Sequence, residues 1–343
     1  MTVPHRAVHR PARRRLRSAS VAVAAAVSVG LTGCSSDGGS SGGGGGGADQ
    51  IDRLAVMAPA DPGGGWDQTA RAMAAALESE GLVGSTRVTN VGGAGGTVGL
   101  AELANERSED FLMVMGLVMV GAVETNQSQA TLDDVTPLAR LTTEDEIIVV
   151  PADSPFQSVD DLVEAVRTEG RGVSIAGGSA GGTDHIAAGL LFQAADLPVE
   201  DLNYVAFSGG GESLAALLGG QVDAGISGVG EYAQQIEAGE LRALAVTGAE
   251  PVEGIDAPTL TEAGYDVELT NWRGVVGPPG ISDEARERLL ALVAQMQESE
   301  AWQAEVEERG WSDAYLAGDE FEAFLAEERQ RVRGVLEDIG LVQ

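Results

Sequence analysis

The chain of 343 residues has no lysine, one cysteine, three histidines and few aromatic residues. Each scarcity removes a class of chemistry. A nucleotide-binding loop of the Gly-Lys-Ser/Thr type needs the lysine that is missing. A lone cysteine, Cys34, excludes an intramolecular disulfide and a thiolate metal site. Two of the histidines, His5 and His9, precede Cys34, so His185 is alone in the remainder, and no D-x-D-x-D-G loop is present. Metal chemistry would have to rest on scattered carboxylates, and no metal or other cofactor is expected. After the first 33 residues there is no run of 18 apolar residues, the length a membrane-spanning helix needs.

What is present begins with an export pattern. Six arginines lead into an apolar run from about Ala19 to Leu31, a charged segment and a core too short for a mature membrane helix. The run ends in Leu31-Thr32-Gly33-Cys34, which resembles the lipobox of bacterial lipoproteins. Residues 1–33 are expected to be removed as a signal peptide and Cys34 to carry the lipid. Residues 34–50 are rich in glycine and serine, cannot bury a core, and are expected to form a tether. None of the 53 acidic residues precedes Cys34 but six of the 21 basic ones do, so the chain from Cys34 onward has 15 arginines against 53 acids, a formal charge of −38. Such a surface repels nucleic acid and anionic lipid.

The body, about Ile51 to Gln343, is long enough for two cores. It repeats one unit: a short aliphatic run, then glycines, then a helical pattern. The unit occurs at Leu54–Ala58, Arg87–Val91 and Phe111–Met115, and again at Val173–Ala176, Tyr204–Phe207 and Val222–Ile226. Strands alternating with helices imply parallel sheets covered on both faces, hence an α/β fold. Asp67 stands where an N-cap would be, Thr97 and Ser213 lie at or near helix starts, and Asp283–Glu298 and Gly318–Ile339 have the pattern of surface helices. The acidic run Glu144–Glu146 suggests a solvated turn. In such sheets ligands bind where loops and helix N-termini gather, and each helix start offers free amides and about half a positive charge. Backbone can therefore hold an anion inside a very acidic protein.

Two catalytic patterns compete with simple binding. Gly228-Val-Gly230-Glu-Tyr-Ala233 approximates a dinucleotide fingerprint, but the strand that follows lacks the acidic residue the fingerprint requires. Gly177-Gly178-Ser179-Ala180-Gly181 fits the G-x-S-x-G of a nucleophile elbow, which would make the chain an esterase. Its base would be His185, only six residues after Ser179, whereas hydrolase histidines arrive from a distant loop. No catalytic residue is therefore assigned. His185 has two roles open to it, a hydrogen-bonding residue of the helix start or a ligand contact.

Six ordered segments then resemble one family: PGGGWDQTAR, NVGGAGGTVGL, AGGSAGGTDHIAAGL, YVAFSGGGESLAALLGGQVDAGISG, LRALAVTG and TNWRGVVGPPG. Together they are similar to the TctC/Bug family, the extracytoplasmic solute-binding proteins of tripartite tricarboxylate transporters. The resemblance implies a type II periplasmic-binding-protein fold, two α/β lobes with a ligand cleft and two hinge crossings. Lobe one would be residues 51–149 and 274–343 and lobe two residues 150–273. It also implies a monomer that captures a citrate-like tricarboxylate or a dicarboxylate and delivers it to membrane permease subunits. A sensor subunit signalling to a membrane kinase is the alternative.

Carried over by motif, the ligand contacts would be Gly64, Gly65, Trp66 and Asp67 with Gly95, Gly96 and Thr97 from lobe one. Lobe two would supply Ser179, Gly182, Thr183 and His185 with Ser208, Gly209 and Gly210. Asp67 cannot attract a carboxylate, so it is assigned to shaping the loop. Trp66 either shields the ligand or packs the loop. Arg273 either clamps an extra carboxylate or pairs with one of the many acids.

Overall fold

The computed structural model describes residues 51–207 and 209–342. Cys34, the leader and the tether lie outside them, as does Ser208. The first lobe is built on β1 (Ile51–Ala58), α1 (Gly65–Ser79), β2 (Val83–Asn90), α2 (Thr97–Leu103), β3 (Phe111–Gly116), α3 (Leu117–Thr125) and β4 (Thr136–Thr143). The chain then crosses into β5 (Glu146–Pro151), α4 (Val159–Glu169), β6 (Ser174–Gly177), α5 (Thr183–Ala194), β7 (Asn203–Ala206), α6 (Gly210–Leu218), β8 (Ala224–Gly228), α7 (Val229–Glu237) and β9 (Leu241–Val246). It returns to the first lobe through β10 (Arg273–Gly277), α8 (Asp283–Gln297), α9 (Glu300–Glu308), β11 (Ser312–Ala317) and α10 (Asp319–Asp338).

Each lobe has one sheet, in the orders β11-β4-β10-β3-β1-β2 and β7-β6-β8-β5-β9. The glycine-loop units supply the parallel parts, β3-β1-β2 and β7-β6-β8. The strand by which the chain enters each lobe from the other, β10 in the first and β5 in the second, runs antiparallel to both of its neighbours, so both sheets are mixed where the sequence pattern suggested parallel ones. A crossover helix makes a parallel neighbour, whereas a chain arriving from the other lobe is under no such constraint.

The first crossing comes earlier than the sequence suggests. Ile147–Val150 belongs to the second sheet, so the link is Glu144–Asp145 and not the region after Val149. The second crossing lies beside it: Glu144 and Asn271 exchange backbone hydrogen bonds of 3.1 and 2.8 Å, and Asp145 bridges Thr270. Trp272, which follows, is buried and donates its indole N–H to Glu328 of α10 at 2.9 Å. The same helix reaches the second lobe, where Ile339 fills the space over Gly189 of α5. Its C-terminal end thus ties the lobes together behind the crossings. One apolar core runs through the first lobe into α5, β6 and β8, and a smaller one, with Ile147, Val149, Leu217 and Tyr232, lies on the other face of the second sheet.

Candidate functional site

The loop Pro59–Gly64 ends β1 and turns into α1, whose N-cap is Gly64 and whose first turn is Gly65-Trp66-Asp67. Asp67 is not the N-cap; it sits in the first turn and reaches back. Its Oδ2 accepts the Gly63 N–H at 2.8 Å and its Oδ1 accepts Asn90 Nδ2 at 2.8 Å, while Arg71 pairs with the carboxylate at 2.9 Å. Burial pushes this carboxyl up, but the hydrogen bonds from Arg71, Gly63 and Asn90 outweigh it and hold the pKa below the usual aspartate value. The first-turn amides of α1 are left facing away from any helical carbonyl.

Trp66 is buried, with its ring against Gly96 and Met119 and its indole nitrogen beside Gly116. Gly95 lies against Ala122, and Thr97 starts α2 with its hydroxyl donating to the Ala94 carbonyl at 3.0 Å. Trp66 therefore packs the two loops of this lobe together.

In the second lobe, the loop after β6 leads to Gly182, the N-cap of α5, whose N–H donates to the Ser179 carbonyl at 2.8 Å. Thr183 is fully buried and its hydroxyl donates to Asn271 Oδ1 at 3.4 Å, linking the loop to the second crossing. The His185 ring stacks on Tyr204 with centroids 4.0 Å apart, and its Nδ1 accepts the Gly181 N–H at 3.2 Å. Burial lowers its pKa to about 4, so it is a neutral imidazole with its proton on Nε2. No hydrogen bond joins it to Ser179 among the described residues. Gly209 caps α6 and Gly210 begins it. The lobes touch where Val118, Gly121 and Thr125 of α3 meet Gly181 and Gly182.

Arg273 opens β10 and is 5% exposed. Its Nη2 pairs with Glu144 Oε2 at 2.6 Å, and Glu144 Oε1 accepts the Gly230 N–H at 3.0 Å, so the pair spans from lobe one through the crossing to α7. The guanidinium lies 5.2 Å from the centre of the Trp311 ring. A Cβ on Gly65 would stand 2.9 Å from Arg273 Nη2, so only glycine lets the loop lie this close to the arginine. Arg273 Nη1 is buried and has no acceptor among the described residues.

The acids behind the second lobe's loops were not singled out by sequence reasoning. Glu144–Glu146 is not a solvated turn: Glu144 is 5% exposed and Glu146 fully buried. The reason is the crossing itself, which carries this run between two sheets. Asp184 accepts the Gly178 N–H at 2.6 Å, and Glu231 packs against Gly210, where any Cβ would collide with it. Burial raises Asp184 to about 6 and Glu231 to about 7, the neighbouring acids adding to the effect. Glu146 is pushed well above its usual value by burial, then by Asp184, Glu144 and Glu231. Neither of its carboxyl oxygens has a hydrogen-bond partner among the described residues, and Asp184 is the first of the neighbouring acids acting on it. The signal available in the sequence was slight: Glu144–Glu146 runs straight into the apolar Ile147–Val150.

Among the described residues no group of three or more histidine, cysteine, aspartate or glutamate side chains is arranged to hold a metal ion, and no helix is long and apolar enough to cross a membrane. Among the described residues the site therefore offers two glycine loops with helix starts, one buried arginine and a cluster of buried acids, and Ser179 has no hydrogen bond to His185.

The chain matches the tripartite tricarboxylate transporter family receptor, TctC, over residues 69–341. It is 30% identical over 241 residues to the UPF0065 protein in the tcbD-tcbE intergenic region of Pseudomonas sp. (strain P51), covering 68% of this chain and 70% of that protein. It is similar to the crystal structure of a TctC solute-binding protein from Polaromonas, at 25% identity and a TM-score of 0.65, covering 83% of this chain and 98% of that one. It also shares its fold with MatC from Rhodopseudomonas palustris with bound malate, at 22% identity and a TM-score of 0.70, covering 83% of this chain and 99% of that one. Two α/β lobes with a helix-start loop in each are what such a receptor needs, and the chain belongs to the TctC family of extracytoplasmic solute-binding receptors, which are not enzymes.

Proposed function

We propose that the protein captures a small dicarboxylate between its two lobes and delivers it to the permease subunits of a tripartite transporter, while held at the outer face of the membrane by a lipid on Cys34. The observation that carries the ligand class is Arg273 Nη1, a buried guanidinium donor without an acceptor among the described residues, beside the glycine loop that starts α1. Carboxylates are strong acceptors for such donors, since charge-assisted hydrogen bonds are about twice as strong as neutral ones. One carboxylate meets Arg273 Nη1 with Gly64, Gly65 and the first-turn amides of α1, and a second meets Gly182, Thr183 and the Nε2–H of His185. Ser179, Gly209 and the Gly95–Thr97 turn line the remaining walls. The bound malate of MatC, which shares the fold, fits this reading.

The acids of lobe two favour a dicarboxylate over citrate, because a third negative charge would lie against Asp184 and Glu231 with Arg273 already paired to Glu144. A thermal-shift series with malate, adipate, citrate, an amino acid and a sugar tests this. A ligand at a hundred times its Kd adds about 2.7 kcal/mol of stability, and dicarboxylates should produce that shift. A shift with the sugar or the amino acid and with no carboxylate would sink the reading.

A further inference from the structure

Three helices of lobe two, α5, α6 and α7, start after β6, β7 and β8, and acids form one floor at these starts: Asp184 and Gly209 both lie against Gly178, and Glu231 lies against Gly210. The carboxyl groups on that floor are Asp184 from α5, Glu231 from α7 and Glu146 from β5, with Glu144 from the first crossing. Ser227 of β8 hydrogen-bonds Glu231, and the neutral phenols of Tyr204 and Tyr232 face the same acids. Arg273 is the cation that acts on Glu146 and Glu231, and Glu144 already pairs with it. Asp145, beside Glu144 and Glu268, and the exposed Glu212 of α6 add no positive charge. His185 is neutral.

This floor is at odds with an anion arriving above it, yet the buried Nη1 of Arg273 has no acceptor among the described residues. Both facts are satisfied if the anion does not come alone. We propose that lobe two binds its carboxylate ligand together with a proton from solvent, taken up by the Asp184–Glu231 floor, so that these two residues select ligands by charge. The proposal rests on the carboxylate reading above. In chemical terms a carboxylate of the floor becomes a carboxylic acid and nothing else changes. The glycine at 210 belongs to this arrangement, because it lets Glu231 reach the start of α6. Asp184 and Glu231 stand near 6 and 7, so both are ready to accept a proton when another negative charge approaches.

Titration calorimetry of the purified protein with malate tests this, in buffers of different ionisation enthalpy between pH 6 and pH 8.5, where the carboxylates of malate stay ionised. We expect proton uptake approaching one per malate near pH 8, and a Kd that rises up to about tenfold per pH unit above pH 7. Glu231→Gln should reduce the uptake and tighten binding at pH 8.5, while changing the affinity at pH 6 by less than about twofold. A merely structural Glu231 would weaken binding equally at both pH values and leave the slope intact. Malate binding with a flat Kd and no proton uptake overturns this proposal alone, and the wild-type measurement suffices for that. No binding of malate, adipate or citrate at any pH overturns the carboxylate reading and this proposal with it.

Discussion

The two lobes present the same device to the cleft and support it in opposite ways. Each places glycines before a helix start, at Gly63–Gly65 and at Gly181–Gly182. Behind the first loop stands one acid, Asp67, with an amide, an amide side chain and an arginine to satisfy it, so its charge is fixed. Behind the second stands Asp184, which accepts the Gly178 amide at 2.6 Å and has the buried acid Glu146 beside it and no arginine paired to it among the described residues. Glycine loops and helix dipoles are thus separable from what lies beneath them. The support decides whether a lobe's charge stays constant or moves with pH, and only the second lobe has charge free to move.

The largest effect should come from breaking the link between the two. Arg273→Ala leaves Glu144 buried without its partner, and removing one member of a buried pair costs about 3–5 kcal/mol. Denaturant unfolding should show that loss near pH 7; a loss below about 1 kcal/mol would mean that the pair is solvated and the lobes are not joined through it. Next comes Glu231→Gln. Folded Glu231 and Asp184 have pKa values raised to about 7 and about 6, so the native state holds protons that the unfolded chain releases. Stability contributed by lobe two therefore falls as pH rises from about 4 to about 7. Glu231→Gln should remove much of that slope and stabilise the protein at pH 8 by roughly 2–3 kcal/mol. An unchanged slope would remove the contrast between the lobes.

Lobe one should show the reverse sign with a smaller amplitude. The Asp67 pKa is lowered on folding, so its contribution is present above the unfolded value and is lost as pH falls through the folded one. Asp67→Ala removes the acceptor for the Gly63 amide and should cost about 1 kcal/mol at pH 7, in the range of a lost helix cap. That cost should shrink in acid. A cost that grew in acid would contradict the bonding seen at this loop.

Most of the architecture was legible in the sequence because it rests on patterns of period and punctuation. Aliphatic runs ending in glycine located six strands, and helix starts followed each loop. Antiparallel return strands were not legible, since strand direction depends on where the chain comes from and not on composition. The glycine loops at the helix starts were visible for the same reason as the strands. Glu146, Asp184 and Glu231 were not, because an acid in a sequence looks solvated, and only the crossing at Glu144–Asp145 and the packing of Gly210 against Glu231 bury them together. Arg273 was visible as a residue, but its pairing with Glu144, 129 positions away, was not.

The smallest predicted effect is an absence of change, and it decides where the mobile proton of lobe two resides. His185 is the residue that ordinarily titrates near neutrality, and it lies in the ligand loop of the lobe whose charge is expected to move. Its ring is 7% exposed, stacked on Tyr204, and its Nδ1 is occupied by the Gly181 amide. Protonation would place a charge in this buried space and turn an acceptor of that amide into a second donor. Burial therefore holds its pKa at about 4, against 6.5 when unfolded, so the stability tied to neutral His185 is present above pH 6.5 and is lost as pH falls from there toward 4. The imidazole resonances of His185, assigned by comparison with a His185→Gln variant, should stay flat from pH 5.5 to 8.5. A titration with its midpoint near 6.5 would show a solvated ring able to offer a carboxylate a positive charge, and the difference between the lobes would then rest on a histidine. If the resonances stay flat while malate binding still takes up protons, those protons are carried by Asp184 and Glu231.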